Sequence, residues 1–214
     1  MSASEPGILA IWHDCRAGRE AELDAWFQGE HLLERLAVPG FRYGRRHKAI
    51  SGGAGFFNFY VVDEPAVLVS KPYLARLDDP TPMTRTIMSE VFLNMNRTVC
   101  RRTLRAGAFR GAFAVTARFD AAPEMGALSA EIEALVKDTR VAAGEIWSAV
   151  DLAGQPVSQE EKLRGGDKKI KAALMIDTLY QADAEKVAGQ LTQSFAKADV
   201  GVFRVLCHIG RGDL

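Results

Sequence analysis

WFQGEHLLERLAVPGFRYGRR, residues Trp26–Arg46, contains a helix, its stop and the strand that follows. At about 100° per residue, Ala25, Trp26, Leu32, Leu33, Leu36 and Ala37 fall on one apolar arc, as in a helix lying on a core. The helix is expected over Ala17–Val38. It stops at Pro39-Gly40, because proline cannot continue a helix and glycine supplies the turn after one. Phe41–Ile50 then reads as a strand. Upstream, ILAIWHDC (Ile8–Cys15) is a buried strand. Downstream, the glycine-rich turn Ser51–Gly55 leads into FFNFYVVD (Phe56–Asp63), which closes a hairpin. Glu64–Asp79 is predicted helical, with Pro65 in its first turn. After Pro80 and Pro82, a second helical stretch, Met83–Asn94, precedes a strand at Met95–Leu104. The order is βαββαβ.

That order then returns. Phe109–Phe119 reads as a strand, Met125–Ala143 as a helix and Gly144–Leu152 as a strand. A charged, glycine-containing excursion follows at Ala153–Lys168, then strand Ile170–Tyr180, helix Ala182–Lys197 and strand Val200–Ile209. The expectation is an α+β chain of two ferredoxin-like βαββαβ repeats, residues 1–107 and 108–214. One such unit covers one sheet face with its helices and leaves the other bare. A second copy, sheet against sheet, covers it, which gives antiparallel sheets packed as an α/β barrel of the dimeric type. Either the two repeats of one chain close that barrel, or each pairs with its equivalent in a second chain.

The 214 residues are 48% hydrophobic and 25% charged, with 27 Lys and Arg balanced by 27 Asp and Glu. Zero net charge provides no long-range field for nucleic acid or an anionic membrane. Gly55-Phe56-Phe57-Asn58-Phe59 superficially resembles the aromatic strand of RNA-recognition domains, but its basic opening residue is missing and a second repeat would cover that face. No apolar run approaches the roughly 20 residues of a membrane span, and Met1–Gly7 lacks the basic-then-apolar order of a signal peptide. Cys15, Cys100 and Cys207 are odd in number and widely spaced, as expected of reduced thiols in a cytoplasmic protein.

Chemistry concentrates on the first helix. Phe27, Glu30, His31 and Glu34 lie along one margin of its apolar arc, where a side chain leaves the core for a cleft. Glu30 and Glu34 repel at four-residue spacing, and a histidine beside carboxylates can serve as an acid–base group. Against this, charged groups at a helix margin commonly just face water. Tyr43 and Tyr60 on the strands could donate a phenol proton to a bound carbonyl. Trp12 and His13 face opposite sides of the first strand, with Trp12 expected as a pocket wall. Arg45 and Arg46, within the basic run Arg42–Lys48, could hold a carboxylate substrate, as could the arginines of a second cluster near the fourth strand. Equally, they and the second cluster (Arg97, Arg101, Arg102, Arg105) could pair with acids of the second repeat. Arg35 is expected to pair within its own neighbourhood. No metal site is indicated among the four histidines. Haem lacks an axial histidine on the second-repeat helices, and no phosphate loop joins a strand to a helix. No cofactor is expected.

The run Trp26-Phe27-x-x-Glu30-His31, then Glu34-Arg35 and Pro39-Gly40-Phe41, resembles the first helix and turn of EthD-like proteins of the dimeric α/β barrel superfamily. Arg45-Arg46-x-x-Ala49, Phe59-Tyr60, and the region from Tyr73-Leu74 to Thr81-Pro82-Met83-Thr84-Arg85 look similar, so the resemblance covers most of residues 8–104. It implies a barrel with a central cavity and a helix-borne histidine, His31, facing it. The superfamily includes cofactor-free monooxygenases, muconolactone isomerases, polyketide cyclases and haem enzymes. Relatives often carry proline soon after the histidine; this chain has Leu32-Leu33. Two function classes remain open. One is a cofactor-independent enzyme acting on a small hydrophobic or aromatic oxygenated compound, with His31, Tyr43 and Tyr60 as its reacting groups. The other is a non-catalytic ligand-binding or oligomerisation module. Homodimer formation is expected in both, to bury remaining sheet edges.

Overall fold

Every residue of Phe56–Val62 is buried, although alternate side chains of a strand point to opposite faces. A strand with no polar face must be covered on both sides, and the computed structural model, which describes residues 5–152 and 157–214, shows how. Eight strands, β1 (Gly7–Cys15), β2 (Phe41–Gly52), β3 (Phe56–Val62), β4 (Phe92–Ala106), β5 (Phe113–Phe119), β6 (Val141–Ala149), β7 (Ala172–Thr178) and β8 (Asp199–Gly210), close into one antiparallel barrel. The order around it is β1-β3-β2-β8-β5-β7-β6-β4. The first four strands run β4-β1-β3-β2 and the last four β8-β5-β7-β6, with β2 against β8 and β4 against β6 as the seams. The chain therefore closes the barrel by itself, and no edge strand is left over among these eight.

Three cores result. Inside the barrel, Trp12, Phe57, Phe59, Trp147 and Phe203 pack into a solid centre. On the outer face of β1–β4 lies a helical layer of α1 (Glu20–Trp26), α2 (Leu32–Ala37), α3 (Lys71–Asp78) and α4 (Pro82–Thr86), with Leu23, Trp26, Leu36 and Ile87 buried against it. On the outer face of the other half, α5 (Met125–Leu135) and α7 (Gln181–Ser194) bury Leu128, Ile132, Val187 and Leu191. Phe57 and Phe59 thus face the barrel interior and Phe56 the helical layer, so none is free to stack on a base.

The first helix departs from its expected face. Between α1 and α2, Phe27–His31 forms a π-helical turn, in which the Leu32 amide donates to the Phe27 carbonyl five residues back. A π turn takes in one extra residue and so rotates everything after it by roughly 100°. Leu33 and Ala37, expected inside, are exposed, as is Ala25 ahead of the turn; Leu32 and Leu36 keep their expected burial, and His31 and Arg35 join them on the buried face. Several bounds also move. The 109–112 stretch lies outside β5, α5 ends at Leu135, and residues 87–91 form a second π turn before β4.

Residues 153–156 of the charged excursion lie outside the described residues, but the remainder is not merely a loop. It holds α6 (Gln159–Arg164), capped by Ser158, whose hydroxyl accepts from the Glu161 amide at 3.2 Å, and ended by Gly165 at a φ of 79°. This helix leaves the second half and packs on α3, β4 and the 87–91 turn of the first.

Polar links inside the barrel hold the halves in register. Arg45 donates to both Asp177 oxygens at 2.8 and 2.9 Å and to the Gly111 carbonyl at 2.8 Å. Trp12 Nε1 donates to Thr116 Oγ1 at 3.2 Å. Glu145 takes Arg102, Arg105 and the Trp147 indole. Burial pushes the Asp177 carboxyl up, and Arg45 opposes that. Arg45→Ala leaves a buried carboxylate without its counter-charge and should cost about 3–5 kcal/mol, whereas the double replacement Arg45→Met, Asp177→Leu should recover most of it. Urea unfolding followed by tryptophan fluorescence measures both.

Candidate functional site

With the barrel centre filled, the cavity expected there lies elsewhere: between the outer face of β1, β3 and β4 and the first-half helices. It is narrow, about 30 Å³, room for about two water molecules. His31, Arg35, Asn58, Tyr60, Tyr73, Arg97, Glu160 and Arg164 supply its polar lining, and residues such as Trp26, Phe27, Leu9, Met88 and Phe92 its apolar walls. Leu77 and Arg97 also line a much larger open cleft of about 780 Å³, so the cavity adjoins the surface at Arg97.

The π turn delivers His31 to this place. Its ring stacks on Trp26 at 4.1 Å and meets Tyr60 edge-on at 6.2 Å. The His31 Nδ1, the Tyr60 hydroxyl and the Arg35 Nη1 are all buried without a hydrogen-bond partner in the protein. Unpaired buried polar atoms are costly, and these three, with the Asn58 Oδ1 as a fourth on the same lining, mark a place where water or a ligand completes the bonding. Burial, then the positive charges of Arg35, Arg164, Arg97 and Arg46, hold His31 well below its ordinary value. Burial likewise holds the Tyr60 phenol protonated. At neutral pH the site therefore presents a neutral imidazole, a phenol donor and guanidiniums, a set suited to hydrogen-bonding an oxygenated ligand and stabilising negative charge on it.

Of the residues singled out in the sequence, His31, Tyr60 and Phe27 meet here. Glu30 and Glu34 lie beside the site and face different partners. Glu30 accepts from Thr81 and Thr84 at 2.5 and 2.6 Å, and Thr84 in turn accepts from the Trp26 indole, so this carboxylate ties α1 to α4. Glu34 sits 3.7 Å from Arg76. Their mutual repulsion is thus relieved separately. Arg46 lies on the same outer face, paired with Asp24 and 4.2 Å from the Phe27 ring centre. Trp12 and Arg45 face the barrel interior instead. Tyr43 packs against that inner core, beside Arg110 and His208. Arg45 pairs across the seam with an acid of the second half, as do Arg102 and Arg105.

The sequence reading missed Glu160 and Arg164, and it did not place Arg35, Tyr73 or Arg97 at this cavity, although Arg97 belongs to a basic cluster expected to hold a carboxylate substrate or to pair with acids of the second repeat. Arg35 was expected to pair locally, but the π turn rotates it inward, where it binds Glu160 of α6. A signal for α6 was present: Ser158-x-x-Glu161 has the spacing of a capping box at a helix start. The expectation that no helix carries metal-ligand spacing overlooked His31-x-x-Glu34; in the structure His31 lines the cavity and Glu34 sits beside Arg76. Among the described residues, no three His, Cys, Asp or Glu side chains converge. None of their helices is long and apolar enough to cross a membrane.

No protein-family profile matches the sequence, and no curated protein matches it. Solved structures do match in fold. An anthrone oxidase-like protein superposes with a TM-score of 0.62 at 9% identity, over 100% of this chain and 96% of its own. A monooxygenase candidate from Fusobacterium nucleatum subsp. nucleatum gives 0.59 at 9%, covering 100% and 98%. A heme-binding protein from Thermus thermophilus gives 0.50 at 11%, covering 95% and 92%. These likenesses establish the fold of the dimeric α/β barrels. They do not carry a haem to this chain. The second-half helices α5 and α7 hold no histidine, cysteine or tyrosine and bury a continuous apolar layer, and the cavity at His31 is far too small for a porphyrin.

His13 and His47 are also fully buried, and burial pushes both down to about 3. With His31 they stay neutral in the fold, whereas in the unfolded chain they protonate near 6.5. As pH falls, the unfolded chain takes up protons first. Their contribution is therefore whole above about pH 6.5 and drains away toward the lower folded values, by about 1.4 kcal/mol per pH unit per histidine. Urea midpoints at pH 7.5 and 5.0 should differ accordingly, and His47→Gln should flatten the slope. Equal midpoints would contradict neutral burial.

Proposed function

We propose that this protein binds a small oxygenated, hydrophobic or aromatic compound between the first-half helices and the barrel wall. We further propose that it acts there as a cofactor-independent enzyme. The observation that carries the proposal is the convergence of three unpartnered buried groups, His31 Nδ1, Tyr60 OH and Arg35 Nη1, on one cavity. In this reaction His31 accepts a proton from a carbon or hydroxyl activated by a neighbouring carbonyl. Tyr60 and Arg35 hydrogen-bond the oxygen on which negative charge gathers. Monooxygenase-, isomerase- and cyclase-type reactions of such compounds share this first step. Phe27 and Trp26 hold the ring of the substrate. Trp12, Tyr43 and Arg45, on the barrel's inner side, take no part.

The strand orders β4-β1-β3-β2 and β8-β5-β7-β6 support reading residues 1–107 and 108–214 as two copies of one ferredoxin-like unit. The resemblance of the first copy to EthD-like proteins fits the placement of His31 on its helix. A homodimer would have to form through the outer surface, since the barrel strands are paired all round. A non-catalytic carrier would use the same cavity without turnover.

Thermal shift against aromatic acids, lactones and polyketide-like phenols tests the proposal. A ligand at 100 times its Kd should stabilise the wild type by about 2.7 kcal/mol, or roughly 5–10 °C. His31→Ala should remain folded, lose most of that shift and abolish turnover of the hit. Full turnover by His31→Ala would remove His31 from the chemistry, and binding with no turnover by the wild type would leave the carrier.

A further inference from the structure

Three guanidiniums, those of Arg35, Arg97 and Arg164, line the cavity. Arg164 is matched by Asp167 through two bonds at 3.0 and 2.8 Å. Arg35 is matched by Glu160, a carboxylate that arrives from the second half of the chain on α6. Arg97 has one hydrogen-bonded side-chain partner among the described residues, the neutral Tyr73 phenol at 2.6 Å. It stands where the cavity meets the open cleft. The lining thus carries one cation more than its carboxylates offset.

The pairing of Arg35 is also incomplete. One of its terminal nitrogens reaches Glu160, while the other, Nη1, is buried with no partner, although a guanidinium fork can take both oxygens of a carboxylate at once. Glu160 itself is 3% exposed, so the six-residue helix places a charged group deep in a pocket whose free space is only about 30 Å³. No aromatic compound enters that space while α6 is in position. The helix is attached through Leu163, half-buried against the first-half core, and through polar contacts from Glu160 to Arg35, from the Gln159 amide to Asp78 and from Arg164 to Met88. Gly165 and Gly166, with φ of 79° and 101°, follow directly.

Building on the cavity as the binding site, we propose that Glu160 occupies the seat of a ligand carboxylate. The ligand is an aromatic carboxylic acid that replaces Glu160 on Arg35, is held in addition by Arg97, and enters as α6 withdraws. The exchange keeps Arg35 paired throughout, so the buried guanidinium never bears an uncompensated charge. It also makes entry selective, because a neutral compound of the same shape would have to displace Glu160 without replacing its charge.

Calorimetric binding of 1-hydroxy-2-naphthoate and salicylate, each beside its primary amide, tests this on wild type, Glu160→Gln and Arg97→Gln. The acids should bind about ten-fold more tightly to Glu160→Gln and about ten-fold more weakly to Arg97→Gln. The amides should bind poorly and show neither change. On wild-type protein, hydrogen exchange over residues 159–164 should quicken when an acid is added and not when an amide is, which provides a readout independent of how the variants fold. Amides binding as well as the acids, or unchanged acid affinity in Glu160→Gln with no change in exchange, would overturn the carboxylate assignment and leave the cavity standing. Binding of neither acid nor amide to wild type or Glu160→Gln would overturn the assignment and count against the cavity as well.

Discussion

A four-stranded antiparallel sheet with helices on one face has a second apolar face that water must not reach, and the rest of this structure follows from how that face is covered. Here the two half-sheets of one chain cover each other and join at both seams, β2 with β8 and β4 with β6. The shared interior is then filled with rings from both halves, Trp12, Phe57 and Phe59 against Trp147 and Phe203. These rings are buried against one another as the side chains of a protein interior are. The cavity lined by His31, Arg35 and Tyr60 lies outward, between a half-sheet and its helices. The first half keeps polar groups there; the second packs its equivalent layer with Leu128, Ile132, Leu174 and Leu191.

Within the first half, one extra residue in a helical turn decides which side chains meet. Had Trp26–Val38 continued as a regular α-helix, Leu33 and Ala37 would have packed inward and Arg35 would have pointed to water. The π turn at Phe27–His31 turns His31 and Arg35 to the sheet side instead. It also costs a well-formed helical hydrogen-bond pattern, the kind of local expense that proteins retain at functional positions. Glu30, the one acid of that turn, is fastened by Thr81 and Thr84 and so fixes the turn against α4.

The electrostatics of the site come from both halves. Arg35 and Arg97 are contributed by the first, Glu160 and Arg164 by the second, and together they set a strongly positive, poorly hydrated surrounding for His31. In that field an imidazole stays neutral and an approaching anion is stabilised, and the anion's charge in turn offsets the cations that keep His31 from taking a proton. α6 thereby makes the site a product of the whole chain, although its helices and strands belong to one half.

The sequence by itself determined the elements and their order. Apolar periodicity, Pro39-Gly40 and the glycine-rich turn at 51–55 are local signals, and local backbone and burial preferences suffice to read them. His31, Tyr60 and Phe27 could be picked out because helix and strand periodicities place them on core-facing margins. What only the tertiary structure decided was which margins meet. Arg35 reaches Glu160 across 125 positions of sequence, Trp12 and Arg45 point into the barrel, and the cavity lies outside it. Helix faces are assigned on a 3.6-residue repeat, and a single π turn breaks that repeat without leaving a mark in composition. Pairing between distant charges likewise depends on barrel closure, a constraint on the whole chain that no short window of sequence contains.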